Sequence, residues 1–488
     1  MSSLSHSHLM QLKDKLGYRK LDGVCTGFSG MLMQAIFAND EKSFYDRLEF
    51  IASYSDDLDD LVKDIRLVQN KYRSSLYVEL TLWDRIVGFF RSIIEFIFGK
   101  KSEKKQEPLQ SGPALAREFS EDDRRLLEIL SFFDGMALYL QPGDYADAFD
   151  GTYISQNDMQ KIYNFTKPDC LDTTTLTMLL DKSHGFTKQE LTDYFKDLAE
   201  ILDAEKQTTA IMLRSVTHTI LVKWSAGEHQ WELINVNNLD KAPGIHRHFK
   251  AKEADLLAEN VFQSFISNYG EQYKNCIFQT QVFTASPPES LVEKLQAFDS
   301  RHSITKKHAQ ITDSDGQLLY LACRFGRLET VKQLLTHGAN INAIYNGIRD
   351  SYHGESALFH ACNKGYVDIV NELLEHGADV NVVCRGMSPL YKACKNGHLE
   401  VVKALLKHGA KVDFIGPKGE SLFSIAKGQI LAELTEKLNK DKASKTASST
   451  PQRSPLLSAG IFANRDPNTV QKKSQATKHG QQNSSGPV

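Results

Sequence analysis

Cys25 lies in the run LDGVCTGFSGMLMQAIF (21–37), with Gly23 before it and an apolar helical pattern of Phe28, Leu32, Ala35 and Ile36 after it. The pattern predicts a helix that starts at or near the cysteine. Unpaired amides and the macrodipole at a helix start favour thiolate over thiol, and the thiolate is the nucleophile. Gly23, Gly27 and Gly30 leave room for another segment to pack closely. The competing reading is a small buried hydrophobe, the common state of a free cysteine.

A cysteine nucleophile needs a base within hydrogen-bond reach, and the base needs an orienting partner. His218 opens a predicted strand in SVTHTILVKW, and the following strand ends in ELINVNN (232–238). A turn centred on Ala226-Gly227 sets His218 opposite Asn235; one centred on Gly227-Glu228 sets it opposite Asn237. Opposed residues on one face lie about 5 Å apart, so either asparagine can orient the imidazole. Otherwise His218 is a half-exposed strand residue, and the asparagines only form the turn that follows.

These residues need a framework. TAIMLRSV, HTILVKW, HQWELINV and NCIFQTQVF between 208 and 284 are β-rich, and the middle two form a hairpin across a short Gly-containing turn. Residues 54–125 read as helical and interrupt what flanks them. Helices first and a mainly antiparallel sheet afterwards give an α+β class for residues 1–295.

The order cysteine, helix, histidine on a strand, asparagine on the next strand is that of papain-like enzymes. The segments GVCTGFS (23–29), HTILV (218–222) and WELINVN (231–237) resemble bacterial effector cysteine proteases of the YopT/AvrPphB type. The resemblance implies Cys25 as nucleophile, His218 as general base and Asn235 as orienter, with Asn237 as the alternative third residue. Where the family carries its oxyanion glutamine this chain has Arg19, and Gln11 is too far upstream to match simply.

Repeats dominate the rest. LLTHGANIN (334–342), LLEHGADVN (373–381) and LLKHGAKVD (405–413) align, with Gly-Ala pairs at 338, 377 and 409. LYLACRFGRLETVKQLL, LFHACNKGYVDIVNELL and LYKACKNGHLEVVKALL precede them, and a degenerate fourth unit follows at 420–438. A unit of about 33 residues with this pattern resembles the ankyrin repeat. The small pairs (Ala322-Cys323, Ala361-Cys362, Ala393-Cys394) allow close helix approach, the paired leucines form an apolar stripe, and Gly338, Gly377 and Gly409 end second helices. One unit cannot bury its faces alone; a stack can. The first interval is longer than the second, and the excess, 343–355, is an enlarged finger.

The expected fold is therefore multidomain. A papain-like cysteine protease domain spans 1–295 with a helical insertion at 54–125. An all-α ankyrin solenoid spans 301–438, and a polar, Ser- and Gln-rich disordered tail spans 439–488.

Fingers and the concave face are the surfaces an ankyrin stack leaves free for a protein partner. Tyr345, Arg349, Tyr352 and His353 in the enlarged finger, with Arg385 and Met387 in the next, are the expected contacts. The alternative is that the finger packs back on the first domain. The ankyrin resemblance also implies hydroxylation of the asparagine that closes a repeat, Asn381 first and then Asn342, each expected to hydrogen-bond within its own hairpin.

Composition narrows the function. The 58 Lys+Arg against 61 Asp+Glu argue against a broadly cationic nucleic-acid binder. Seven cysteines without CxxC spacing argue against a disulfide framework or a clustered zinc site, and fit a reducing compartment. The first residues lack the apolar core of a secretory signal. No phosphate loop, dinucleotide fingerprint, HExxH or EF-hand loop is present, so neither cofactor nor metal is expected. TLWDRIVGFFRSIIEFIFGK (81–100) places its polar residues on one narrow stripe, the pattern of a helix packed in a protein groove or lying in a membrane interface.

A protease-like domain followed by ankyrin repeats resembles the ankyrin effectors that Legionella delivers into host cells. That implies a monomer acting in host cytosol or nucleus, which binds a host protein through its repeats and cleaves or modifies a target. The non-enzymatic alternative is a degenerate protease fold that serves as a scaffold.

Overall fold

The computed structural model describes residues 4–18, 24–71, 120–140, 176–239, 245–266, 274–313, 316–346 and 353–448. The amphipathic stretch 81–98, the linker 100–114, Arg19, Arg349, Tyr352 and residues 449–488 lie outside the described residues.

Four helices open the chain: α1 (His6–Lys15), α2 (Cys25–Phe37), α3 (Glu41–Ala52) and α4 (Leu58–Lys71). After α5 (Glu121–Leu140) come β1 (Leu176–Thr187), α6 (Lys188–Glu205), β2 (Thr209–Arg214), β3 (Thr219–Ser225) and β4 (Gln230–Ile234). Then follow β5 (His246–Lys250), α7 (Ala254–Ile266), β6 (Asn275–Ala285) and α8 (Glu289–Arg301). The strands make one antiparallel sheet in the order β1-β6-β2-β3-β4-β5. The four β-rich runs are its β2, β3, β4 and β6. β1 and β5 have no counterpart among those runs, because β1 carries DKSH at its centre and β5 opens with HRH.

The sheet is covered on both faces. Ala210, Met212, Leu221, Ile234 and Phe283 join the apolar cluster of α2 to α5. Their neighbours Ile211, Leu213, Ile220, Val222, Trp224 and Val282 join that of α6, α7 and α8. Strand side chains alternate between faces, so two covered faces require unbroken apolar runs; all six residues of β2 are buried.

Packing between α2 and α5 depends on glycine. A methyl group on Gly27 would lie 2.6 Å from Met136 Cβ, and one on Gly30 would lie 2.9 Å from the Tyr139 ring. The segment that α2 accommodates is thus α5, whose first residues fall in the stretch read as an insertion.

After α9 (Lys306–Ala309) the repeats alternate short helix pairs: α10 (Leu318–Arg324) with α11 (Leu328–Thr336), α12 (Ala357–Lys364) with α13 (Val367–Glu375), and α14 (Pro389–Asn396) with α15 (Leu399–Lys407). Ser356 and Ser388 cap α12 and α14 by accepting from the amides of Phe359 and Tyr391, each at 3.1 Å. Gly338, Gly377 and Gly409 take φ of 77°, 88° and 87°, the left-handed conformation that ends the second helices. The fourth unit forms α16 (Leu422–Ile425) and α17 (Gly428–Ser448), and its Leu422 and Leu434 join the apolar core of the repeats. Residues 439–448, expected in a disordered tail, instead continue α17.

Residues up to Leu438 form one compact unit. Within it the first repeat seats on the sheet. Val216 and Ile277 belong to the apolar core of the repeats. Asp181 on β1 pairs with Arg327 and accepts hydrogen bonds from the side-chain amides of Gln279 and Gln281.

Candidate active site

Cys25 is the first residue of α2, and the helix begins there with Phe28 N donating to Val24 O at 2.8 Å. Val24 supplies no side-chain cap. The helix start that the sequence predicts is therefore present, but its effect on the thiol is outweighed. Burial of the sulfur pushes the Cys25 thiol up to about 12, against main-chain amides of Thr219, Cys25 and Val24 that pull it down. Desolvation of a thiolate costs more here than the helix start returns.

His218 precedes β3 on a tight loop that is buried except at Thr217. Ser215 N donates to His218 O at 2.8 Å, and Ser215 Oγ accepts from Thr217 N at 3.2 Å and His218 N at 3.1 Å. The imidazole is buried, edge-on to Phe265 at 5.9 Å between ring centroids. Burial lowers His218 to about 4; the bond to Asn235 opposes this and the charge of His6 adds to it.

The hairpin register pairs Trp224 with Trp231 and Leu221 with Ile234, the alignment that sets His218 level with Asn237. Both asparagines nevertheless reach the histidine. Pairing stops at Ile234, and the chain turns into a short 3-10 segment with Asn235 at its start. Asn235 Oδ1 lies 3.1 Å from His218 Nε2 and also accepts from Asn237 N at 3.0 Å. Asn237 Nδ2 is 3.4 Å from each ring nitrogen. An Nε2–H donating to Asn235 leaves the Nδ1 lone pair on the side of Asn237.

Cys25 and His218 share no direct hydrogen bond among the described residues. Asn237 Oδ1 lies 3.9 Å from Cys25 Sγ, so one side chain meets both groups. His6, which no sequence pattern marks, has its Nε2 3.5 Å from the same sulfur. It stands on α1, and only the geometry of the helices brings it to Cys25. Thr26 and Thr219 join α2 to β3 through their hydroxyls at 2.7 Å. Gln11 is exposed on α1. No cluster of three or more metal-ligating side chains occurs among the described residues.

The finger residues divide. Tyr345 is 2% exposed and stacks on Tyr320 with ring centroids 4.4 Å apart, so it supports the finger from inside instead of offering its ring at the tip. His353 and Arg385 are exposed, Met387 is half-buried, and Arg385 reaches Glu355 Oε1 at 3.7 Å. Ile344, Val383 and Ile415 occupy equivalent positions in three successive fingers and are 39%, 58% and 57% exposed. They are single apolar residues whose exposure the sequence pattern does not reveal.

Asn342 and Asn381 do more than close their own hairpins. Asn342 Oδ1 accepts from Asp379 N at 2.9 Å, and Asn381 Oδ1 accepts from Lys411 N at 2.9 Å. Within the hairpins the Asn342 and Asn381 main-chain amides donate to Asn340 Oδ1 at 3.2 Å and Asp379 Oδ1 at 2.9 Å, while the side-chain bonds cross to the following repeat.

Residues 319–415 match the family model for ankyrin repeats, in three copies. No curated protein matches the chain. Ankyrin repeats generally mediate protein–protein interaction, and the C-terminal region carries that capacity.

Proposed function

We propose that this chain is a bacterial effector acting inside a eukaryotic host cell, in the cytosol or nucleus. Its ankyrin repeats recruit a host protein, and a papain-like thiol site cleaves or modifies a target. The observation that carries the catalytic reading is the 3.1 Å pairing of His218 Nε2 with Asn235 Oδ1 beside a thiol at a helix start. The resemblance of the Cys25, His218 and Asn235 segments to effector cysteine proteases supports it.

Asn235 holds the imidazole so that Nδ1 is the basic nitrogen. Once Asn237 swings aside, Nδ1 takes the proton of Cys25, and the thiolate adds to a substrate carbonyl. Breakdown of the tetrahedral adduct passes that proton to the leaving amine, and water then hydrolyses the thioester. With ammonia as the leaving group the same steps amount to deamidation. Catalytic hydrogen bonds often tighten only once substrate is bound, so the interposed Asn237 describes the resting site.

The partner surface of the repeats comprises Ile344, Val383 and Ile415 with His353, Arg385 and Met387. Asn381, with Asn342 second, is the proposed site of hydroxylation in host cytosol.

A second reading is a non-enzymatic scaffold. The thiol pushed up to about 12 favours it. Incubating the full chain with a peptide library decides between them. Cleavage or deamidation that disappears in Cys25→Ala supports the enzyme; products identical with and without the thiol leave the scaffold.

A further inference from the structure

Loops that carry catalytic groups usually run over the surface. The loop carrying His218 is exposed only at Thr217: Ser215, Val216 and His218 are 6%, 9% and 9% exposed. A buried loop must find partners for its main-chain polar groups. Ser215 provides some from within. On the other side stands the first ankyrin repeat. Arg324, at the end of α10, donates from Nη2 to Val216 O at 3.4 Å. Phe325, the next residue, lies under the guanidinium of Arg214, 4.8 Å from its ring centroid, and Arg214 is the residue immediately before the loop. The Val216 side chain itself belongs to the apolar core of the repeats.

We propose that Arg324 and Phe325 are positioning residues for His218, so that the first ankyrin repeat holds the imidazole in register with Asn235. This rests on the reading of Cys25, His218 and Asn235 as a thiol site, and it specifies how the repeats act on that site. The connection runs from Arg324 to the Val216 carbonyl, through the Ser215–His218 turn, to the bond between Nε2 and Asn235 Oδ1. Without Arg324 the buried Val216 carbonyl loses a donor, and the turn relaxes to find another. The titratable groups on the far side of His218 are His6 on α1 and Cys25 on α2. On the array side stand the permanently charged Arg214 and Arg324.

Arg327 pairs with Asp181 on β1 and donates from Nε to Phe325 O, so it belongs to the same junction. The control is Arg324→Lys, which keeps both the charge and a donor beside Val216 O.

The test is the pH dependence of Cys25 alkylation by iodoacetamide, read by peptide-mapped mass spectrometry on the full chain. Arg324→Ala and Phe325→Leu are expected to move the midpoint by about one pH unit toward the His218→Ala profile, the scale of one altered neighbour of an ionising group. Arg324→Lys keeps a donor for Val216 O and is expected to restore the wild-type profile. Amide hydrogen exchange over 215–219 should accelerate in Arg324→Ala and Phe325→Leu alone; it provides the readout for any variant too unstable to titrate. Unmoved profiles and exchange in Arg324→Ala and Phe325→Leu, with His218→Ala displaced, would overturn the proposal. So would a displacement in Arg324→Lys equal to that in Arg324→Ala. A His218→Ala profile that superimposes on wild type overturns the thiol-site reading itself, and this proposal with it.

Discussion

Asn237 stands between Cys25 and His218, its Oδ1 3.9 Å from the sulfur and its Nδ2 3.4 Å from both imidazole nitrogens. The resting site is thus a neutral thiol and a neutral imidazole separated by an amide. Asn237→Ala should remove the barrier and speed Cys25 alkylation about tenfold, the equivalent of one net hydrogen bond. Asn235→Ala frees the ring of its orienter and should instead slow it. Rates from mapped iodoacetamide labelling compare the two.

The buried histidines set a direction for acid stability. His218 is lowered from 6.5 to about 4 and His184 from 6.5 to about 3, each chiefly by burial. The unfolded chain therefore binds more protons than the folded one between pH 6.5 and the folded values. Stability is fully present above pH 6.5 and falls as the pH drops through that window, by about 3 kcal/mol for His218 alone. Urea unfolding at a series of pH values should show a shallower slope between pH 6.5 and 4 in His218→Gln than in wild type.

Gly27→Ala should destabilise the first domain by about 1–3 kcal/mol, because its methyl would meet the Met136 backbone at 2.7 Å. Separation of α2 from α5 also disturbs Cys25 at the head of α2. Denaturant midpoints measure the first effect and alkylation rates the second.

Much of this was legible in the sequence, and the gaps have physical causes. The repeats announce themselves because stacking demands the same small pair, leucine pair and glycine in each unit. The strands β2, β3, β4 and β6 are apolar enough to be read; β1 and β5 carry charged and histidine centres that mask them. The pairing of His218 with an asparagine followed from hairpin parity. Which asparagine bonds it did not, because the strand ends at Ile234 and the chain turns there. His6 was invisible for another reason: nothing local links α1 to Cys25. Tyr345 looked like a surface anchor by residue type, and its burial under Tyr320 depends on how the finger folds back.

The fingers make a separate prediction. Replacing Ile344, Val383 and Ile415 together with serine should weaken capture of a host protein partner without lowering the melting temperature, since all three are exposed. Tyr345→Ala should do the reverse and lower the melting temperature, because it empties a stacked, buried site. Thermal denaturation and pull-down from host lysate, run side by side, separate the two.

Asn381→Ala deletes the bond to Lys411 N that joins consecutive repeats. A loss of about 1 kcal/mol is expected, visible as faster amide exchange at Lys411 with the first domain unchanged.

Cys25 as a nucleophile served by His218 is open to direct chemical trapping. A mixed library of peptidyl vinyl sulfones tests it most directly, because thiolate addition to the vinyl carbon leaves a stable thioether that mass spectrometry maps to one residue. An adduct on Cys25 is expected in the wild-type chain, strongly reduced in His218→Ala. An unmodified Cys25, or equal labelling with and without His218, would contradict it.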